Sequence, residues 1–65
     1  MLRVAIVGAG GIARRHVEAV EQIEFARVAA VVDVDASKAE ALARQAGARS
    51  YTALDECVDD MDVVH

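Results

Sequence analysis

The sequence has one cysteine, two histidines and few aromatic residues, and each shortage excludes a class of protein. The lone Cys57 cannot form an internal disulfide, and His16 and His65 lie too far apart in the chain to predict a structural metal site. Aromatic residues make up 3% of the chain and no basic stripe is present, so nucleic-acid binding has no support. No apolar run approaches the roughly 20 residues that span a bilayer.

The chain is short for an independent domain. A single hydrophobic core seldom stabilises a domain below roughly 70–80 residues without a disulfide or a metal, and this chain has 65 residues. Yet 55% of them are apolar, which is too many for a disordered tail. We therefore expect residues 1–65 to be a piece of a larger protein.

A signal peptide is the targeting alternative, because Arg3 precedes the apolar stretch VAIVGAGGIA. Glycines interrupt that stretch, and two arginines and a histidine follow it where a cleavage site would need small residues. A cytoplasmic location is the simpler expectation.

Four short segments have the composition of strands. Residues 2–7 read LRVAIV and residues 28–33 read VAAVVD, which is typical of strands buried on both faces of a parallel sheet. A short third strand is predicted at residues 48–51. The last residues, 61–65, predict a fourth strand.

Helices are predicted between these strands. The first follows the glycines after residue 7, and the second spans Ala36–Ala46 between the N-cap Asp35 and the left-handed C-cap Gly47. Residues 52–55 form a weak capping box that opens a short third helix ending near Asp59. Strand and helix thus alternate three times before the fourth strand. This order predicts an α/β fold with a doubly wound parallel sheet, a partial Rossmann fold.

The glycine-rich segment carries the main functional prediction. Residues 8–13 read GAGGIA, which matches the dinucleotide-binding pattern G-x-G-x-x-[GA] between a strand and a helix. Gly8 permits the tight turn, Gly10 lets a diphosphate approach the backbone, and Ala13 lets the helix pack on the sheet. The backbone N–H groups that follow point towards phosphates. The candidate phosphate-binding residues are Gly8, Gly10, Gly11 and Ile12.

The second strand ends in an acidic residue, Asp33, 20 residues after Ala13. A carboxylate at this position binds the adenosine ribose hydroxyls and repels a 2′-phosphate. Val34 stands where an NADP site favours arginine, and we expect it to lie against the adenine. The predicted cofactor is therefore NAD, with NADP less favoured. Asp33 has a second interpretation as a solvated or capping carboxylate, although Asp35 is better placed to cap.

The remaining polar residues give no catalytic or metal-binding candidate. Arg14 and Arg15 lie in the first one or two turns of the first helix, where a phosphate contact is one interpretation and a solvated role is the more common one. His16 fits a structural or exposed role, and Cys57 fits a small core residue.

Three segments together resemble the Gfo/Idh/MocA family, named for glucose–fructose oxidoreductase, inositol dehydrogenase and MocA. They are VAIVGAGGIARRH, VVDVDASKAEALA and YTALDECVDDMDVVH, and they cover nearly the whole chain. The resemblance implies the N-terminal part of a two-domain, NAD(P)-dependent oxidoreductase that forms homo-oligomers. Members transfer a hydride between nicotinamide and an alcohol carbon of a sugar, inositol or related polyol.

The resemblance also implies roles for matching positions. Gly8, Gly10, Gly11 and Ile12 hold the diphosphate. Asp33 holds the ribose, and Ala13 replaces a third glycine. The family's catalytic lysine, in a Glu-Lys-Pro segment, lies beyond His65, so no catalytic residue is carried over.

Several alternatives remain open. A non-catalytic NAD-sensing module would keep the same nucleotide-binding pattern, and a flavodoxin-like fold could use the glycine turn without a nucleotide. Asp33 and the tight GAGGIA turn argue against FAD proteins, which often have glutamate at this strand end, and against methyltransferases, whose glycine turn is usually looser.

Overall fold

The computed structural model describes every residue from Met1 to His65 as four strands, two α-helices and two short 3₁₀ helices. The strands form one parallel sheet in the order β3-β2-β1-β4. The predicted α/β class and parallel sheet are therefore confirmed. The elements are β1 (Leu2–Val7), α1 (Gly11–Glu21), β2 (Ala26–Val32), α2 (Ala36–Ala46), β3 (Arg49–Tyr51) and β4 (Val63–Val64).

Apolar side chains cover both faces of the sheet, as a doubly wound arrangement requires. Both α-helices pack on one face, where Ile6 and Val31 are almost fully buried against α1 and α2. The 3₁₀ segment covers the other face through Cys57, which is 2% exposed beside Ala5 and Ala30. The prediction that Cys57 is a small core residue is thus confirmed. Neither α-helix has the length and apolarity needed to cross a membrane.

The glycine turn after β1 and the acidic residue after β2 lie at the same end of the sheet. β1 ends at Val7 and β2 ends at Val32, two neighbouring strands that run in the same direction. The backbone N–H of Gly8 donates to the Val32 carbonyl at 2.7 Å. The turn after β1 and the acidic residue after β2 are therefore neighbours.

The second helix has the predicted limits and caps. The Asp35 carboxylate accepts hydrogen bonds from the backbone N–H groups of Ser37 at 3.0 Å and Lys38 at 3.3 Å. Gly47 ends the helix with φ of 68°, in the left-handed region that favours glycine. Asp35 is therefore a helix cap, as the sequence predicts.

The predicted third helix is wrong. Residues Leu54–Glu56 and Val58–Asp60 form two 3₁₀ helices, separated at Cys57. Glu56 caps the N-terminus of the first 3₁₀ helix. Its Oε1 accepts hydrogen bonds from the Ala53 N–H at 3.0 Å and from the Thr52 hydroxyl at 3.3 Å. Cys57 has φ of −132° and ψ of −8°, outside the helical region, and this break in the helix accompanies the burial of its side chain against the sheet.

Replacing Asp35 with alanine should destabilise the start of α2 by about 1 kcal/mol, because Ser37 and Lys38 lose their acceptor. We expect amide exchange in the first turn of α2 to accelerate by about fivefold in the full-length protein. Asp59→Ala is the control, because that exposed carboxylate makes no ion pair or hydrogen bond. Equal exchange rates in the two variants would contradict the capping role.

Candidate functional site

The turn after β1 contains glycines that serve different purposes. Gly8 has φ of 90°, a conformation in which other residues are strained. Gly10 has φ of −76°, which any residue adopts, and a Cβ placed there would meet no atom within 4 Å. Neither backbone conformation nor packing within the chain therefore requires glycine at position 10. Its missing side chain leaves the surface above the turn bare.

The N-terminus of α1 offers hydrogen-bond donors without acceptors. Gly10 is the N-cap residue and supplies no side-chain hydrogen bond, and the first turn contains no acidic residue. The exposed N–H groups of Gly11 and Ile12 donate to no protein acceptor. Such a helix N-terminus attracts anions through its free N–H groups and its dipole.

The Asp33 carboxylate bridges the ends of β1 and β2. Its Oδ2 accepts from the backbone N–H of Ala9 at 2.8 Å, and its Oδ1 accepts from that of Asp35 at 2.8 Å. The Ala9 bond and then the Asp35 bond lower the pKa of Asp33, with a smaller contribution from the positive charge of Lys38. The group is therefore a carboxylate at neutral pH, and each oxygen retains a lone pair for a further donor.

This bridge refines both interpretations of Asp33 made from the sequence. Asp33 does not cap α2, because Asp35 does so. It is not simply solvated either, since it ties the glycine turn to the loop after β2. Sequence spacing alone does not indicate the contact with Ala9. It follows from the pairing of β1 with β2, which brings two strand ends together.

Two adjoining clefts contain all six predicted site residues. A cleft of about 480 Å³ on the β2 side is lined by Gly8, Asp33 and Val34, with residues 52–54 opposite. Val34 is 92% exposed there, so its apolar side chain is available to contact a ligand. A second cleft of about 490 Å³ lies on the β4 side of the same turn, and both clefts share Val7 and Gly8. The second cleft contains Gly10, Gly11 and Ile12.

The two histidines form a contact that the sequence does not reveal. His16 Nδ1 and His65 Nε2 are 2.8 Å apart, and the rings meet edge to face with centroids 4.2 Å apart. A hydrogen bond between two ring nitrogens requires one of them to lack a proton. The pair joins α1 to the end of β4 beside the second cleft, which agrees with a structural role for His16.

These residues supply three kinds of binding group. The clefts offer free N–H donors for an anion, an ionised carboxylate for hydroxyl groups, and an exposed valine for an apolar ring. No cluster of three or more His, Cys, Asp or Glu residues is placed to hold a metal ion. The residues therefore fit a dinucleotide, whose diphosphate, ribose and adenine have these chemistries.

A parallel sheet with a glycine turn after one strand and an acid after its neighbour defines the dinucleotide-binding α/β proteins. Comparison with known proteins narrows this class. The family model described as "Oxidoreductase family, NAD-binding Rossmann fold" matches residues 2–65. The chain belongs to this family, the Gfo/Idh/MocA oxidoreductases, and the resemblance noted in the sequence is confirmed.

The relatives agree with this assignment. Glucose-6-phosphate 3-dehydrogenase of Bacillus subtilis is 37% identical over 59 residues, which are 91% of this chain and 17% of that protein. The crystal structure of GenD2 from gentamicin A biosynthesis in complex with NAD is 37% identical with a TM-score of 0.88, covering 98% of this chain and 20% of GenD2.

The myo-inositol dehydrogenase of Lactobacillus casei, crystallised with NAD(H) and myo-inositol, is 29% identical with a TM-score of 0.85. The match covers 98% of this chain and 20% of that one. The chain thus spans about a fifth or less of the length of these relatives. The predicted NAD-binding Rossmann fold is confirmed, and the individual residue contacts with the cofactor stay a prediction.

Proposed function

We propose that residues 1–65 are the N-terminal, cofactor-binding part of an NAD-dependent oxidoreductase that acts on a sugar, an inositol or a related polyol. The observation that carries the proposal is the bare surface at Gly10 beside the ionised Asp33, on a chain that belongs to an NAD-binding family. The rest of the Rossmann domain and a substrate domain would lie outside this chain. Cytoplasmic location and homo-oligomer formation belong to the same proposal, which requires neither a nucleic acid nor a membrane as a partner.

Each candidate residue has a role in this proposal. Gly8 shapes the turn, Gly10 admits the diphosphate, and the N–H groups of Gly11 and Ile12 donate to it. Asp33 accepts the adenosine ribose hydroxyls in the cleft on the β2 side, where Val34 covers the adenine. The nicotinamide half then extends to the β4 side of the turn.

The bound cofactor would supply a hydride acceptor for oxidation of an alcohol carbon. The residues of this chain bind and orient the cofactor, and none is assigned to proton transfer. The proton-transferring and substrate-binding groups would therefore come from outside residues 1–65.

NADH formation by the full-length protein tests the proposal. We expect activity with at least one member of a panel containing myo-inositol, glucose 6-phosphate and related sugars and polyols, which include the substrates named for the relatives. Ethanol is the control, since a polyol site lacks contacts for a simple primary alcohol. NAD binding without NADH formation from any polyol would favour the non-catalytic NAD-sensing module instead. Absorption bands of a bound flavin would contradict NAD as the cofactor.

A further inference from the structure

The hydrogen bond between the His16 and His65 rings ties α1 to the end of β4. His16 Nδ1 and His65 Nε2 are 2.8 Å apart, and no other side-chain hydrogen bond within the chain involves α1. The His65 backbone is held separately by β1, since its N–H donates to the Ala5 carbonyl at 2.8 Å and its carbonyl accepts from the Val7 N–H at 3.0 Å. Because Val7 directly precedes the glycine turn, the pair fixes α1 at the end of the sheet where the proposed cofactor site lies.

The two rings lie at the boundary between the second cleft and an apolar groove. His16 and His65 are the only residues that line both the cleft of about 490 Å³ and the groove, which has a volume of about 380 Å³. Every other residue that lines the groove is apolar. Val63 of β4 lines it as well and is 41% exposed, so apolar packing between α1 and β4 is incomplete. The hydrogen bond between the rings therefore sets the distance between these two walls of the cleft.

This hydrogen bond depends on the charge of the pair. One of the two ring nitrogens must lack a proton in order to accept, so the closed pair takes up at most one extra proton, whereas the separated rings take up two. Histidine side chains take up protons between about pH 8 and pH 5, so lowering the pH across this range favours separation of the rings. The bond is thus present at neutral and alkaline pH and is lost as the pH falls.

No other titratable side chain lines the cleft or the groove. On the sheet side, Arg3 and Asp62 form an ion pair with each other at 3.3 Å and line neither cavity. The charged side chains nearest to His16 on α1 are exposed and also line neither cavity: Arg14, Arg15 and Glu18. The response of this contact to pH therefore belongs to the two rings.

We propose that His16 and His65 are positioning residues for the nicotinamide half of the cofactor, and that their hydrogen bond makes NAD binding sensitive to pH. This role rests on the proposed function, because the nicotinamide half must lie in the second cleft for the spacing of its walls to matter. The closed pair holds α1 and β4 at the spacing that binds the nicotinamide. Separation of the rings releases that spacing and leaves the adenosine site on the β2 side intact.

Calorimetric titration of the full-length protein with NAD and with ADP-ribose tests this role at about pH 8 and about pH 5, the limits of histidine titration. ADP-ribose retains the adenosine and the diphosphate and lacks the nicotinamide ring. The affinity for NAD should fall by about fivefold at the lower pH, which corresponds to one lost hydrogen bond. The affinity for ADP-ribose should change by less than about twofold.

Two substitutions of His16 separate the hydrogen bond from its titration. His16→Ala removes the bond and should give the weaker NAD affinity at both pH values. His16→Asn is the rescue variant, because its amide lies near the position of Nδ1 and can either donate to or accept from His65. It should bind NAD about fivefold more tightly than His16→Ala at both pH values. Glu18→Gln is the surface control on the same helix and should keep the pH dependence of the unmodified protein.

Three results would overturn the positioning role while the proposed function stands. They are an unchanged pH dependence in His16→Asn, equal NAD affinity of His16→Ala and the unmodified protein at the higher pH, and equal shifts for NAD and ADP-ribose. If His16→Ala fails to fold, the pH dependence of His16→Asn decides. If neither ligand binds at the higher pH, the proposed function fails and the positioning role fails with it.

Discussion

Asp33→Ala in the full-length protein is expected to weaken NAD binding by about 100-fold and NADP binding much less. NAD loses two charge-assisted hydrogen bonds from its ribose hydroxyls to the carboxylate. The same change frees the Ala9 N–H that now donates to Asp33 at 2.8 Å, so the glycine turn also loses its link to the loop after β2. For NADP, these losses are offset by removal of the repulsion between the carboxylate and the 2′-phosphate.

Titration of both cofactors into the Asp33→Ala variant measures this difference. Asp59→Ala serves as a charge control, because that exposed acid lines neither cleft and should leave both affinities unchanged. Losses of similar size for NAD and NADP in the Asp33 variant would show that Asp33 does not contact the ribose.

Gly10→Asp is expected to abolish measurable NAD binding, a loss of at least about 100-fold, without destabilising the protein. The extended backbone at Gly10, with φ of −76° and ψ of −171°, suits an aspartate N-cap, and the added Cβ meets no atom within 4 Å. An aspartate there accepts hydrogen bonds from the first turn of α1 and stabilises it by a few tenths of a kcal/mol relative to glycine. Its carboxylate then occupies the anion site and repels the diphosphate.

Gly47→Ala is the matched glycine control. Gly47 has φ of 68° at the end of α2, so alanine there costs about 1–2 kcal/mol of stability, but the residue lines none of the clefts described above. We expect this variant to lose thermal stability and to keep its NAD affinity. A Gly10→Asp protein that unfolds like the Gly47 variant would show that glycine at position 10 serves folding rather than cofactor binding.

The sequence predicts most of the fold because the signals of the main elements are local. The strand β1 has the predicted limits, Leu2–Val7, because its apolar run ends at a glycine. The helix α2 has both predicted limits because Asp35 and Gly47 act through hydrogen bonds and backbone conformation within a few residues. The prediction of the third helix is wrong because the structure of that segment depends on a contact with the rest of the chain. Burial of Cys57 depends on the sheet surface beneath it, which the sequence of residues 52–59 does not contain.

The candidate site also has a part that the local sequence predicts and a part that only the fold creates. The glycine turn and Asp33 are visible in the sequence through a pattern and a spacing. The bond from Ala9 to Asp33 and the pairing of His16 with His65 join residues that are distant in the chain. Each depends on which strands and helices become neighbours, so only the folded structure brings them together.

A crystal structure of the full-length protein with NAD is the most direct test of the central claim, that the glycine turn and Asp33 hold the cofactor. We expect the adenosine ribose hydroxyls to lie within about 2.6–3.0 Å of the Asp33 carboxylate oxygens. The diphosphate should lie over Gly10 and accept hydrogen bonds from the N–H groups of Gly11 and Ile12. A ribose that does not contact Asp33, or a diphosphate bound away from this turn, would contradict the account.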